Sequence, residues 1–297
     1  MSSQNPTIVT SADLKFPTRP VDGHKGTFGR VLAIGGSLGM SGSICLTATA
    51  ALRGGAGLVT AAVPASVQAI VAGFEPSYMT VALACDQHGQ IGDESVEVVR
   101  EIVAGQSAIA IGPGLGQSTA AADLLLSVLK EAPCPVVLDA DALNLAAEFQ
   151  IFHRSELVGD WVITPHPGEF ARLTGLSSTV INQQRETVAM EFAASHGICV
   201  VLKGAGTVVT DGQRLYVNTS GNSGMATGGS GDVLTGLISA LIAQGISVFD
   251  AAAIGVYLHG IAGDIAAERH SQPGLIASDL VCCIGDAWLR FLHNPSV

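Results

Sequence analysis

The chain has 297 residues, of which 48% are hydrophobic and only 13% charged, enough to fill one large α/β core or two small ones and unlike a disordered segment. Its formal charge of −11, with no local cluster of lysine and arginine, argues against a nucleic-acid partner; a small anion needs only backbone N–H groups, a helix end or a metal. The first thirty residues lack an apolar targeting core and no later apolar run reaches about twenty positions, so the mean hydropathy of +0.44 is assigned to buried strands and Ala-rich helices, with a cytoplasmic location and no membrane expected.

Through about Val21 the chain reads as an irregular arm. Arg30 to Ser37 (RVLAIGGS) is a short strand running into a glycine turn, followed by a helix from about Ser43 to Arg53 and a strand at Leu58 to Val63 that Pro64 ends. The same grammar recurs: strand Ser107 to Ile111, helix Thr119 to Lys130, strand Pro135 to Asp139, helix Ala142 to Phe149, strand Trp161 to Thr164. A long helix from about Val180 to His196 precedes a strand at Ile198 to Lys203, and Thr207 to Thr210 with Arg214 to Val217 reads as a hairpin turning at Asp211-Gly212. Helices near Asp232 to Ala243, Val248 to Glu268 and Ala277 to Leu292 finish the chain. This alternation predicts an α/β protein with a mostly parallel sheet covered on both faces, in one domain. The six cysteines show no CxxC spacing, and most read as small buried hydrophobes.

Ligands on such sheets gather beyond the C-terminal strand ends, so the polar residues there are the candidates. Gly228, Gly229, Ser230 and Gly231 bring N–H donors together at a helix start, an anion hole with Asp232 beside it. Asp232 either accepts a proton or organises a metal-bound water, or else caps the helix. Neither Gly35 to Gly39 nor Lys203 to Thr207 is a Walker A loop, and Gly35 to Gly42 lacks GxGxxG spacing. Gly112 to Gly116 is a functional loop or a packing turn. Two prolines hold His166 extended past a strand, as a substrate ligand or acid–base group or in a rigid turn; Glu169 caps the next helix or holds Mg²⁺ through water. Asp139, Asp141 and Asn144 share one strand end, where the aspartates serve a metal or ribose or cap a helix. Lys203 meets a phosphate or faces solvent, His24 to Gly29 closes over ligand or forms an entry turn, and His259 reads as a core or interface histidine not paired with Asp264.

Taken together, several blocks carry a resemblance: KGTFGRV at Lys25, AIGGS at Ala33, ALRGGAGLVT at Ala51, GPGLG at Gly112, LDADALN at Leu138, TPHPGE at Thr164, KGAGT at Lys203, GNSGMATGGSGDVLTG at Gly221 and YLHGIAGD at Tyr257. In these blocks the chain resembles the ADP/ATP-dependent NAD(P)H-hydrate dehydratases. The resemblance implies a ribokinase-like three-layer α/β/α sandwich over residues 25–293 behind an arm at 1–24. It implies dehydration of the S epimer of NADHX or NADPHX to NADH or NADPH, coupled to ADP going to AMP and phosphate, with Mg²⁺ as cofactor and ATP the donor in eukaryotic members. The partner NAD(P)HX epimerase is expected on a separate chain, and the assembly as a homotetramer. Carried onto this sequence, the resemblance gives Lys203, Gly204, Ala205, Gly206, Thr207 and Gly231 to the nucleotide. Ser43 (often alanine in the family), Gly116, His166 and Asp232 go to the hydrated nicotinamide, with Asp232 as the catalytic base. The competing readings are a ribokinase-like small-molecule kinase acting on a vitamin-precursor alcohol and a catalytically silent nucleotide sensor.

Overall fold

The computed structural model describes residues 6–154, 157 and 159–293. Ten strands form one sheet: β1 (Thr7–Val9), β2 (Arg30–Ile34), β3 (Leu58–Pro64), β4 (Met79–Leu83), β5 (Ala108–Ile111), β6 (Val136–Leu138), β7 (Trp161–Ile163), β8 (Cys199–Leu202), β9 (Val208–Thr210) and β10 (Arg214–Val217). Their order is β1-β10-β9-β8-β7-β6-β5-β2-β3-β4, parallel throughout except for β9, which runs against both neighbours. Eleven helices are described: α1 (Ser41–Arg53), α2 (Ala65–Phe74), α3 (Ser95–Val103), α4 (Thr119–Glu131), α5 (Asp141–Glu148), α6 (Pro167–Thr174), α7 (Ser178–Gln183), α8 (Arg185–His196), α9 (Ser230–Ala243), α10 (Val248–His270) and α11 (Ala277–His293).

Strand periodicity sorts the core into two layers. Val31 and Ala33, Ala61, Ala108 and Ala110, Val137, Val162 and Val201 face α1, α2, α9, α10 and α11. Their sequence neighbours Leu32, Ile34, Ile109, Ile111, Leu138, Ile163 and Val200 face the helices α3 to α8. The sequence expectation of a covered, mostly parallel sheet is thus met as three layers. The first face is rich in alanine at its centre, which leaves room for α9, buried along Val233–Ala243, to lie between sheet and outer helices. Gly236 makes that possible: a Cβ there would come within 2.0 Å of the Thr47 carbonyl oxygen on α1. The helix α10 is apolar and long enough to span a bilayer, yet 78% of that stretch is buried in the fold, so its composition is that of a core helix. The all-round apolar surfaces of α9 and α10 are accounted for within the chain.

Several expectations need correction. The start of the chain carries a strand, β1, paired in parallel with β10. Beyond Pro64 lie α2, β4 and α3, which had no prediction. The expected helix from Val180 to His196 is two, α7 and α8, broken at Gln184 with φ −132°, and α6 starts at Pro167 where a rigid turn was one reading. Of the cysteines, Cys45, Cys199 and Cys283 are buried and Cys85 and Cys282 exposed, so burial is not general. Gly236→Val is expected to lower unfolding stability by about 1–3 kcal/mol, read as a shift in urea midpoint at unchanged slope; an unmoved midpoint would show that α1 and α9 can separate freely.

Candidate active site

The strands turn direction of succession between β2 and β5, and this is where open parallel sheets bind ligands. The loop after β2 and the GPGLG turn after β5 are joined there, the Gly36 N–H donating to the Pro113 carbonyl at 2.9 Å. Beyond it the ends of β6, β7 and β8 deliver Asp139, His166 with Glu169, and Lys203 to the same edge. His24 to Gly29 does not reach it: Gly57 and Leu58 at the start of β3 donate to Phe28 and Gly29, at the opposite end of the strands, which leaves the entry-turn reading.

At the centre is a buried ion pair. Lys203 Nζ lies 2.6 Å from Asp139 Oδ1 and 3.9 Å from Glu169 Oε2, so the solvent-facing reading of this lysine fails. Thr235 of α9 donates to Asp139 Oδ2 at 2.8 Å. Burial works against the ionised Asp139, but Lys203 and the hydroxyls of Thr235 and Thr164 outweigh it and hold the carboxyl below its ordinary range. Burial likewise opposes the charge on Lys203, and Asp139, Glu169 and Asp232 together raise it above the usual value. Thr235 and the Asp139–Lys203 contact had no sequence signal, because they join groups that only the topology brings together.

The turn entering α9 is built by backbone. Gly229 is the N-cap at φ 89° with no side chain capping the helix, and a Cβ there would strike Leu46 at 2.5 Å. No side chain takes up the N–H groups of the first turn at the positive end of the helix, although the Ser230 N–H donates to the Thr227 carbonyl at 3.4 Å. Asp232 sits in that first turn and does not cap it, so the capping alternative does not hold. Its carboxyl is pushed up to about 6, chiefly by burial and then by Asp139 and Asp141, against the lowering effects of the Ser43 hydroxyl and Lys203. A carboxylate poised there can take up a proton near neutral pH. His259 is buried on α10 with Nε2 3.5 Å from Ser230 Oγ, and burial drives its pKa down to about 4, which keeps it neutral.

His166 is the N-cap of α6, its Nδ1 accepting from Gly168 and Glu169 N–H at 3.0 and 3.2 Å, which places the proton of the neutral ring on Nε2. Glu169 returns the contact, accepting the His166 N–H at 2.8 Å, so the capping expectation holds for it. Burial raises the Glu169 carboxyl to about 7, assisted by Asp139 and opposed by Lys203; burial, Lys203 and Arg172 lower His166. Neither Asp139 nor Asp141 caps α5, whose N-cap is Ala140 at φ 51°, ψ −117°. That strained residue turns the chain between the two aspartates, at a cost of about 1–3 kcal/mol. Asp141 accepts from the Gly116 N–H and from Gln117 Nε2, both at 2.9 Å, and Asn144 accepts from Arg172 at 3.0 Å. In the KGAGT loop, Thr207 donates to the Gly204 carbonyl at 2.9 Å, and Arg185 props the loop from below by donating to the Leu202 and Lys203 carbonyls. Among the described residues no three His, Cys, Asp or Glu side chains form a cluster able to cage a metal ion.

A family model described as NAD(P)H-hydrate dehydratase matches residues 31–285. The chain belongs to that family. Relatives of the dehydratase family include a bifunctional NAD(P)H-hydrate repair enzyme of Moorella thermoacetica, 46% identical over 270 residues that cover 90% of this chain and 50% of that protein. An ADP-dependent (S)-NAD(P)H-hydrate dehydratase of Neisseria meningitidis serogroup B is 39% identical over 281 residues, 93% of this chain and 89% of that one. The chain spans about half the length of the bifunctional relatives it matches. Among solved structures, an ADP/ATP-dependent NAD(P)H-hydrate dehydratase from Bacillus subtilis, co-crystallised with ATP and Mg²⁺, superposes with a TM-score of 0.85 at 31% identity, covering 97% of this chain and 100% of that one.

Two outcomes follow from the electrostatics of this dehydratase-family site. Lys203→Met leaves Asp139 buried without its partner and is expected to cost about 3–5 kcal/mol in urea unfolding near neutral pH; a loss too small to measure would mean that water screens the pair. For Asp232 the folded pKa of about 6 exceeds the unfolded value, so the stability of the folded state is highest below about pH 4 and falls as pH rises from about 4 to about 6. Asp232→Asn should therefore raise stability at about pH 8 by about 1–3 kcal/mol and leave it unchanged below about pH 4, and a destabilised variant at both would contradict the assignment.

Proposed function

We propose that the protein is an ADP-dependent (S)-NAD(P)H-hydrate dehydratase that returns hydrated NADH and NADPH to the reduced cofactors, with AMP and phosphate as the other products. The observation that carries this reading is Asp232: a buried carboxylate with its pKa raised to about 6, in the first turn of a helix whose N–H donors no side chain caps. A phosphoryl group fits those donors, and an attacking hydroxyl fits the carboxylate. The ADP dependence of the Neisseria relative and the ATP/Mg²⁺ complex of the Bacillus enzyme support the nucleotide requirement, with ADP the preferred donor.

Asp232 takes the proton from the ring hydroxyl while that oxygen attacks the terminal phosphorus of ADP and AMP leaves. The N–H groups of Gly228, Gly229 and Gly231 stabilise charge on the transferred oxygens, with Ser230, whose N–H donates to the Thr227 carbonyl, completing the turn. Phosphate then departs from the ring with the electrons of its C–O bond as the ring nitrogen donates its pair, and loss of a proton from the adjacent carbon restores the dihydronicotinamide. No hydride moves. Gly204 to Thr207 receive the nucleotide, and Ser43, Gly116 and His166 Nε2–H orient the hydrated ring. The carboxylates present suit a Mg²⁺ carried on the nucleotide phosphates and met through water, since Asp139 is committed to Lys203 while Glu169, with its carboxyl raised to about 7, would welcome a cation nearby. When bound, the ion supplies neutralisation of phosphate charge. An epimerase activity completes the repair of R epimers, and a cytoplasmic homotetramer is the form we assign. Light scattering at working concentration checks the assembly, a monomer mass overturning it.

Purified protein given epimer-defined S-NADHX, Mg²⁺ and ADP is expected to form NADH and AMP in equal amounts. The rate should fall by at least about a thousandfold in Asp232→Asn, and the wild-type kcat/KM should decline below an apparent pKa near 6. Accumulation of a phosphorylated alcohol without NADH would favour the kinase reading, and nucleotide binding with no turnover in either form would favour the sensor.

A further inference from the structure

The helices α5 and α6 leave the site side by side from the ends of neighbouring strands, and between them the surface is hollow. One cavity of about 470 Å³ is lined by Gln117, Asn144, Glu148 and Arg172; an adjoining one of about 250 Å³ is lined by Gln150, Phe152, Phe192 and again Arg172. The first begins at the catalytic end, since Gln117 and Gly116 both donate to Asp141. Among the lining residues Arg172 alone has a permanent positive charge. It donates to Asn144 Oδ1 at 3.0 Å and, among the described residues, makes no ion pair. Lys203, the other cation nearby, is neutralised by Asp139.

A hydrated nicotinamide dinucleotide is far longer than its reacting ring, and its adenosine must lie somewhere beyond Gly116. In a chain of net charge −11, an unpaired guanidinium beside a hollow that opens from the site is where a phosphate can be held. A carboxylate in the same hollow is suited to a ribose hydroxyl, and nicotinamide-nucleotide sites use this pair of side chains to read the 2′ position, carboxylate for hydroxyl and arginine for phosphate. The neighbouring cavity presents the half-buried Phe152 ring and the exposed Gln150 amide to a purine.

We infer that Arg172 and Glu148 form the subsite for the adenosine ribose of the hydrated dinucleotide, Arg172 taking the 2′-phosphate of the NADPHX form and Glu148 the free hydroxyl of NADHX. This rests on the dehydratase reading of the site. With both side chains present the enzyme accepts both forms, and their balance sets the preference.

The test compares initial rates on S-NADPHX and S-NADHX, with ADP and Mg²⁺, for the wild type, Arg172→Gln, Arg172→Lys and Glu148→Gln. The ratio of kcat/KM for NADPHX over NADHX should fall about tenfold in Arg172→Gln, mainly through KM, recover in part in Arg172→Lys, and rise severalfold in Glu148→Gln. In parallel, calorimetry follows adenosine 2′,5′-bisphosphate binding to each protein saturated with ADP and Mg²⁺, a readout independent of turnover. Weaker binding in Arg172→Gln supports the subsite; equal binding, or none to the wild type, overturns it. A rate ratio unchanged across the variants, with a wild type that does form NADH, overturns the inference and leaves the dehydratase reading intact. A wild type that forms no NADH while its bisphosphate binding depends on Arg172 sinks the dehydratase reading and keeps the anion subsite.

Discussion

The Asp139–Lys203 ion pair is the contact on which the geometry of the site depends. It ties the end of β6 to the end of β8, and Thr235 brings α9 to the same carboxylate. Position alone is only part of its effect. Asp139 is the second largest influence raising the Asp232 carboxyl, after burial, while Lys203 pulls the same group down. A pair that satisfies itself leaves behind a residual field set by distance, and here the field favours a protonatable Asp232. Buried pairs seldom add net stability compared with apolar packing, so its retention at this edge is understood through what it orients and tunes.

Orientation of Asp232 also requires α9 to be immobile, and the core provides this. The alanines on one face of the central strands let a helix apolar along most of its length settle against the sheet, and Gly236 lets α1 close over it. With its body enclosed, α9 exposes only its first turn, which opens at the strand ends. The opposite face uses leucine and isoleucine at the intervening positions and carries shorter helices, among them α5 and α6, which set out from the site edge. One sheet face thus fixes the chemistry and the other shapes the ground beyond it.

Most of the architecture could be read from alternating apolar strands and glycine turns, because parallel strands buried on both faces write themselves as short runs of Val, Ile, Leu and Ala. Failures fall where that signal is absent. The sequence of α2, ASVQAIVAGF, has almost no polar periodicity, and β4 is a short edge strand with its central residues half-exposed. At α6 a proline at the first helical position was legible as a turn, and the histidine before it is an unusual cap in place of Ser, Thr or Asp. Several candidates, among them Gly116, Asp139, His166 and Lys203, are marked by their place just after a strand, and Asp232 by the glycine turn before α9. Their pairing has no such mark: Lys203 reads as a phosphate ligand until the fold sets it 2.6 Å from Asp139. Likewise Asp232 can be read as a cap until the cap is seen to be Gly229.

Four carboxylates at the mouth of an anion site look self-defeating until the two tasks are separated. In the proposed reaction phosphate would be met by backbone dipoles, whose strength does not vary with pH and which carry no net charge to be neutralised by Asp139, Asp141, Glu169 or Asp232. The carboxylates would meet protons and hydroxyls instead, and the two with raised values, Asp232 near 6 and Glu169 near 7, are those whose burial is not outweighed by partners as it is at Asp139, where Lys203, Thr235 and Thr164 prevail. An anionic ligand entering such a site would lift both further, making Asp232 a stronger base just when a hydroxyl is presented to it, while a cation accompanying the ligand would act the other way. The balance between these influences, more than the identity of any one residue, sets how readily a proton can be taken at neutral pH in a protein that carries eleven more negative charges than positive ones.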